Sequence, residues 1–162
     1  WQQTADEIAE RLHAGQDVAF VTLGDTLLYS TYIYLLRALR LQYPEARVET
    51  VPGISSFSSA AALTNMPLGE GFQSLQIIPS ANDWSMIERA IDAGAGVVLM
   101  KIGRCLQEII ALLDRLGVLH RSVFVSRAGL PDQRVETDLN RLRGADEKVG
   151  NLAVIIVQGS RS

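Results

Sequence analysis

Two short loops contain the residues whose types and spacing suggest chemistry. Gly24-Asp25 follows the apolar run Val18–Leu23, and Pro52-Gly53-Ile54-Ser55-Ser56 follows the run 47–51. Glycine permits a sharp turn and close approach of another molecule to the main chain, and aspartate accepts hydrogen bonds from turn amides. Such loops bind a ligand mainly through main-chain groups, which suits a reaction that depends on aligning two reactants.

Other kinds of catalytic site have little support in this sequence. His13 and His120 are the only histidines, no His, Cys, Asp or Glu spacing suits a metal, and Cys105 has no histidine near it in sequence. No nucleophile-elbow motif and no glycine-rich motif for binding triphosphates or dinucleotides occurs. We therefore expect no metal. What remains is chemistry that needs little from side chains and depends mainly on how the protein aligns the reactants.

The segments around the two loops predict alternating strands and helices. The run Val18–Leu23 is apolar except for Thr22, which is typical of a parallel strand covered on both faces, and residues 47–51 predict a second strand. A helix from Ser30 and Thr31 to about Tyr43 lies between them, and a small-residue helix, 55–63, follows the second loop. In open α/β sheets, ligands bind in the crevice beyond the carboxyl ends of the strands.

The remaining segments predict two lobes, residues 1–70 and residues 71–162, joined near the Pro- and Gly-containing stretch 65–72. Thr4–His13 is a predicted helix with Thr4 as N-cap. In the second lobe we predict helices at 84–93, with Asp83 as a possible cap, and at 106–116, strands at 75–78, 96–102, 122–127 and 152–157, and a β-extension at 134–137. The predicted fold class is α/β.

Composition restricts the function classes. Hydrophobic residues make up 48%, charged residues 20%, and the net charge is -3. No basic stretch exists to bind nucleic acid phosphates, and no apolar run is long enough to span a membrane. The single cysteine excludes an internal disulfide, and we expect a cytoplasmic protein.

The two loops also resemble those of a known family. The segment 21–31, Val-Thr-Leu-Gly-Asp-Thr-Leu-Leu-Tyr-Ser-Thr, together with the loop 52–56, resembles the Gly-Asp-Pro loop and the following Pro-Gly loop of the tetrapyrrole (corrin/porphyrin) methylases. The sequence of these two segments is most similar to that of the C20-methyltransferases of precorrin-2 or cobalt-factor II. The resemblance implies a two-lobed fold with a parallel-sheet N-terminal lobe, here incomplete, and a mixed-sheet C-terminal lobe. It implies methylation of a reduced tetrapyrrole in cobalamin biosynthesis, with S-adenosylmethionine as methyl donor and a homodimeric enzyme to which the apolar helix 106–116 could contribute an interface.

The resemblance also implies site residues. Those matching the cofactor-binding positions are Leu23, Gly24, Asp25, Leu28, Ser55, Ser56, Met100, Lys101, Ala128 and Ala153. Arg104 and Arg127, with Lys101, match groups that could pair with the substrate's carboxylates. Helix capping by the two serines, core packing of Met100 and ordinary surface exposure of the arginines are the alternative interpretations.

The sequence departs from the family at two places. Thr26 stands where the family usually has proline, and nothing before Trp1 supplies the family's first strand and its G-x-G-P-G loop. The resemblance therefore implies that this chain alone binds S-adenosylmethionine weakly and turns over poorly. Another methylase of the family, such as a diphthine synthase or a ribosomal RNA methylase, and a non-catalytic α/β binding module stay open as alternatives.

Overall fold

Contacts within the chain group its residues into two compact units. The computed structural model describes residues 1–80 and 82–160, and the units are Trp1–Ser55 and Ser56–Ser162. The helix after Ser55 belongs to the second unit because it packs on strands of that unit. The lobe boundary at residues 70 and 71 stays a prediction.

Two packed helices form the centre of the N-terminal unit. Helix α1 is Gln2–His13 and helix α2 is Tyr32–Gln42. They meet through buried apolar side chains, which include Ala5, Leu35 and Leu39. The Thr4 cap prediction is wrong, because α1 begins two residues earlier, after Trp1, without a side-chain cap.

A hydrogen bond between side chains also joins the two helices. The Tyr43 hydroxyl, just beyond α2, donates to Asp6 Oδ1 of α1 at 2.7 Å. This hydrogen bond to Asp6 raises the pKa of Tyr43 above its ordinary value. The α1–α2 pair therefore has a polar contact beside its apolar one.

The prediction that Val18–Leu23 forms a strand covered on both faces is wrong for this chain. Residues 18–23 and 47–51 form no strand ladder with any described residue. Val21 is 87% exposed and Leu23 is 78% exposed, so the apolar run is not buried. The residue types favour a strand, but a strand needs a hydrogen-bonding neighbour, and the described residues do not provide one.

The C-terminal unit is an α/β structure, and its mixed sheet confirms the predicted fold class. Its elements are α3 (Ser56–Thr64), β1 (Leu75–Ile78), α4 (Trp84–Asp92), β2 (Gly96–Met100), α5 (Leu106–Arg115), β3 (Ser122–Ser126), β4 (Arg134–Glu136) and β5 (Ala153–Val157). The strand order is β1-β2-β5-β3-β4. Among the described residues, β1 and β2 pair in parallel, and the other three pairings are antiparallel.

The cap predicted for α4 is confirmed. The Asp83 carboxylate accepts a hydrogen bond from the Met86 main-chain amide, which lowers the pKa of Asp83. Among residues 1–80 and 82–160, no helix has the length and apolar character that crossing a bilayer requires.

One face of the sheet packs against α5 to form the main core. Ile109, Leu113, Leu99, Phe124 and Ile155 are fully buried there. The apolar side of α5 thus packs within its own unit. Core packing of this kind is the alternative to a role for the helix in a dimer interface. Burying such side chains is the dominant stabilising term of a unit of this size.

Truncating Leu113 tests this core. Leu113→Ala should lower the free energy of unfolding of the C-terminal unit by about 2–5 kcal/mol, because it leaves a cavity in a packed interior. The measurement is urea unfolding followed by Trp84 fluorescence in a Trp1→Phe background. Phe72→Ala, at a fully exposed site, is the control and should change stability by less than about 0.5 kcal/mol. Equal effects of both changes would contradict the assignment of this core.

Candidate functional site

Asp25 joins the two loops singled out from the sequence. Its Oδ1 atom accepts a hydrogen bond from the Leu27 amide at 2.9 Å, which closes its own turn. Its Oδ2 atom accepts from the Gly53 amide of the second loop at 3.3 Å. One carboxylate therefore positions main-chain groups of both loops, and the loops are neighbours in space although 28 positions separate these two residues.

The main chains of the two loops are in direct contact. Gly24 has a φ of +77°, a left-handed conformation that favours glycine. A Cβ atom added at Gly53 would lie 2.2 Å from the Gly24 carbonyl oxygen, so a side chain there requires the main chain to move. Gly53 and Ile54 are also exposed, so this paired main chain is accessible to a ligand.

Thr26 makes a third connection between the loops. Its hydroxyl donates a hydrogen bond to the Val51 carbonyl at 3.2 Å. The hydroxyl thus provides a tether at the position where the resembling family usually has a rigid proline ring. Sequence reasoning did not identify this contact, and a threonine in place of proline was the signal that could have suggested it.

Two polar contacts fix the start of α2 and the segment before the second loop. Ser30 Oγ accepts a hydrogen bond from the Tyr32 amide at 3.1 Å. The buried Tyr32 hydroxyl lies 2.7 Å from Thr50 Oγ1, and its ring stacks on Phe20. The sequence alone did not indicate this hydroxyl contact of Tyr32. These contacts hold the segments before both loops against α2.

The remaining predicted residues of these loops differ in exposure. Leu23 is exposed, Leu28 and Ser55 are half-buried, and Ser56 is the exposed first residue of α3. The position of Ser56 agrees with the helix-start interpretation, which is compatible with a ligand role. The two leucines surround the turn with apolar surface.

In the C-terminal unit, the predicted residues gather at one edge of the sheet. Met100 at the end of β2 pairs with Val154, and Ser126 at the end of β3 pairs with Ala153. Because β5 runs antiparallel to both strands, the ends of β2 and β3 meet the start of β5. Lys101, Arg127 and Ala128, which follow those strands, therefore belong to the same edge.

The main chain at this edge is strained. Lys101, Arg127 and Leu152 have φ values of 54°, 50° and 51°, in a region that residues with side chains rarely adopt. The Arg127 amide donates to the Leu152 carbonyl at 3.0 Å and joins two of them. Strain of this kind persists where the surroundings enforce it, and it is often found at functional sites.

Met100 and Ala153 point to opposite faces of the sheet. Met100 shares a face with its partner Val154, and the adjacent Ala153 lies on the other face, in the core beneath α5. Their side chains therefore do not line one pocket together. Any contact of Ala153 with a ligand has to come from its main chain.

The basic residues near this edge differ in their partners. Arg127 forms an ion pair with Asp132 in the turn that follows β3. The side chains of Lys101 and Arg104 are exposed and make no hydrogen bond or ion pair with residues 1–80 or 82–160. Lys101 and Arg104 are therefore available to an anionic ligand, whereas Arg127 first has to leave Asp132.

The residues that sequence analysis set aside have ordinary environments. His13 and His120 are exposed, and the half-buried Cys105 thiol donates to Asn82 Oδ1. Within the described part of the chain, no three His, Cys, Asp or Glu residues cluster as metal ligands would.

Removing the Asp25 carboxylate should release the two loops. Asp25→Ala should speed hydrogen exchange at the Leu27 and Gly53 amides at least about tenfold, because both lose their acceptor. The measurement is residue-resolved exchange by NMR. Asp17→Ala, an exposed change, is the control and should leave both rates unchanged. Unchanged rates in Asp25→Ala would show that other contacts hold the loops.

Comparison with known proteins connects these loops to a family. Residues 1–142 match the model of the Tetrapyrrole (Corrin/Porphyrin) Methylases. The chain is 37% identical over 134 residues to the cobalt-precorrin-2 C(20)-methyltransferase of Salmonella typhimurium, a match that covers 83% of this chain and 55% of that protein. The chain thus spans about half the length of that relative.

Solved structures share the fold at low sequence identity. The cobalamin biosynthetic enzyme cobalt precorrin-4 methyltransferase, CbiF, superposes with a TM-score of 0.71 at 18% identity, over 96% of this chain and 69% of that one. The uroporphyrin-III C-methyl transferase of Thermus thermophilus, complexed with S-adenosylhomocysteine, gives 0.61 at 18% identity, over 97% and 72%. The matched family model, the sequence relative and the shared fold agree, and the chain belongs to the tetrapyrrole methylase family.

Proposed function

We propose that this chain is part of an S-adenosylmethionine-dependent C-methyltransferase that acts on a reduced tetrapyrrole in cobalamin biosynthesis. The proposed site of methylation is C20 of precorrin-2 or cobalt-factor II. The observation that carries the proposal is the joining of the Gly24-Asp25 and Pro52-Gly53 loops by one carboxylate. The similarity to a C20-methyltransferase supports the choice of substrate.

The geometry of the loops suits a methyl donor held by main-chain groups. A side chain at Gly53 would collide with Gly24, so the exposed corner formed by the two glycines consists of main chain alone. Asp25 holds this corner by accepting hydrogen bonds from the Leu27 and Gly53 amides, and it is itself half-buried. A bound sulfonium donor supplies an activated methyl group. The loops would then supply orientation, which needs no catalytic side chain.

The C-terminal unit contributes proposed contacts of two kinds. Met100, Lys101, Ala128 and Ala153 are proposed cofactor contacts, Ala153 through its main chain. Lys101 and Arg104 are also proposed partners of tetrapyrrole carboxylates, since both are exposed and have free cationic groups among the described residues. Arg127 would join them by exchanging Asp132 for a substrate carboxylate.

Several finer features belong to the proposal as well. We propose a homodimeric enzyme in the cytoplasm that uses no metal of its own. A diphthine synthase, a ribosomal RNA methylase and a non-catalytic binding module are the competing functions. Methyl transfer from labelled S-adenosylmethionine to precorrin-2, cobalt-factor II or RNA separates the tetrapyrrole methylase from the ribosomal RNA methylase. The assay should use this chain joined to the segment of the Salmonella relative that lies outside the match.

Calorimetry with S-adenosylhomocysteine tests the loop site directly. We expect weak binding to this chain, with Kd on the order of 1 mM, because the chain spans about half of its relative. Joining the relative's segment should tighten binding at least tenfold. Gly53→Ala should abolish binding in both forms, because the added methyl group displaces the Gly24 carbonyl.

The matched control for this experiment is Gly69→Ala. Gly69 does not have a positive φ, and its added Cβ atom would lie 3.7 Å from the Gln73 carbonyl oxygen, an ordinary van der Waals contact, so binding should be unchanged. Binding that survives Gly53→Ala would overturn the loop assignment. A complete absence of binding in the joined form would favour the non-catalytic module.

A further inference from the structure

A short loop after β2 carries the two exposed cations Lys101 and Arg104, and buried side chains hold both of its ends. Ile102 is 0% exposed and Leu106 is 2% exposed, and both belong to the core of the C-terminal unit. Between them, the Cys105 amide donates a hydrogen bond to the Ile102 carbonyl at 3.0 Å. Core packing therefore fixes the ends of this cationic loop, and a different contact has to fix its middle.

The middle of the cationic loop lies against the turn 146–151, which precedes β5. A Cβ atom added at Gly150 would lie 2.5 Å from the Gly103 Cα atom and 3.1 Å from the Gly103 nitrogen. Real side chains do not approach main chain so closely, so a methyl group at this position would have to displace it. The two main chains are thus in direct contact at Gly103 and Gly150.

Conformational freedom does not explain the glycines of this contact. Gly103 and Gly150 lack the positive φ that favours glycine, unlike Gly117 and Gly144, whose φ values are 68° and 72°. A residue with a side chain could adopt the main-chain conformation of Gly150. The absence of a side chain there therefore serves the close approach to the cationic loop.

The turn that supports the cationic loop is itself anchored. The Asp146 carboxylate accepts a hydrogen bond from the Lys148 amide at 2.7 Å. Val149 packs against the main core, and Gly150 is buried. Because the turn is held by its own hydrogen bond and by the core, it can act as a fixed support for the loop beside it.

We infer that Gly150 is a positioning residue for the carboxylates of the substrate, because its contact with Gly103 holds the main chain that carries Lys101 and Arg104. The inference rests on the proposed function, in which these two cations bind tetrapyrrole carboxylates. Long cationic side chains lose conformational freedom when they bind, and a fixed main chain beneath them reduces the total loss. The contact thus raises affinity for a polyanionic ligand without touching it.

A purely structural role for the contact is the alternative. In that case Gly150 stabilises the C-terminal unit, and its substitution weakens ligand binding whether or not the two cations are present. A residue that acts through Lys101 and Arg104 loses its effect when they are removed. A double-mutant cycle therefore separates the two roles, because residues that act together have non-additive effects.

Hydrogen exchange at the Cys105 amide, followed by NMR, tests the contact itself. Gly150→Ala should speed this exchange at least about tenfold, because the displaced main chain no longer supports the cationic loop. An unchanged rate in folded Gly150→Ala would overturn the inference.

The matched control is Gly103→Ala, which adds the same methyl group on the other side of the contact. Its Cβ atom would lie 3.2 Å from Oδ1 of the exposed Asn151 side chain, which can rotate, and 3.4 Å from the Gly150 carbonyl oxygen. Exchange at the Cys105 amide should therefore change less than about threefold.

Titration with uroporphyrin, a tetrapyrrole that carries acetate and propionate groups, tests the link to the cations. Gly150→Ala should weaken binding to this chain at least about tenfold, but less than about twofold in a background of Lys101→Ala and Arg104→Ala. An equal loss in both backgrounds would show a purely structural role and overturn the inference alone. Binding that is unchanged when both cations are removed would instead overturn the carboxylate contacts of the proposed function, and the inference with them.

Asp146→Ala provides a second variant in case Gly150→Ala does not fold, which circular dichroism would reveal. The change removes the acceptor of the Lys148 amide and loosens the turn without adding bulk. It should speed exchange at the Cys105 amide and weaken uroporphyrin binding at least about threefold each. Unchanged exchange and affinity in folded Asp146→Ala would contradict a supporting role of the turn and overturn the inference.

Discussion

The candidate site depends on the Asp25 carboxylate and its two main-chain amides. A carboxylate that accepts two amide hydrogen bonds can order loops that have little regular structure of their own. The glycines on either side allow the close approach, and the Thr26 hydroxyl adds a tether to Val51. The turn-forming residues thus create a surface of main-chain groups that does not rely on the flexible ends of long side chains.

The C-terminal unit also positions main-chain groups at a candidate site, but it does so with the ends of strands. Its edge is set by three strand ends that meet because β5 runs antiparallel between β2 and β3. Left-handed main chain at Lys101, Arg127 and Leu152 lies where β2 and β3 end and where β5 begins. Here the rigidity comes from the buried sheet and from α5 beneath it, and the strain is local.

Sequence reasoning succeeded where a pattern depends on nearby residues. Periodicity and capping residues predicted the helices, the Asp83 cap and the four main strands of the C-terminal unit. These patterns were reliable there because they match burial against α5. The adjacency of the two loops comes from the Asp25 and Thr26 hydrogen bonds, since the segments before the loops form no strand ladder among the described residues. The pairing of Val18–Leu23 did not follow, since a strand requires a partner that composition does not reveal. The Thr26 and Tyr32 hydroxyl contacts were missed because they join positions 25 and 18 residues apart. The opposite orientations of Met100 and Ala153 required the register of β5.

The order of the sheet has a consequence for how the C-terminal unit forms during synthesis. Strand β5 follows the other described strands in sequence but lies in the middle of the sheet, with β2 on one side and β3 on the other. Until residues 153–157 leave the ribosome, β2 and β3 each expose an apolar edge, and the unit cannot close its core. The nascent chain therefore has to stay soluble with two open edges until β5 completes the sheet.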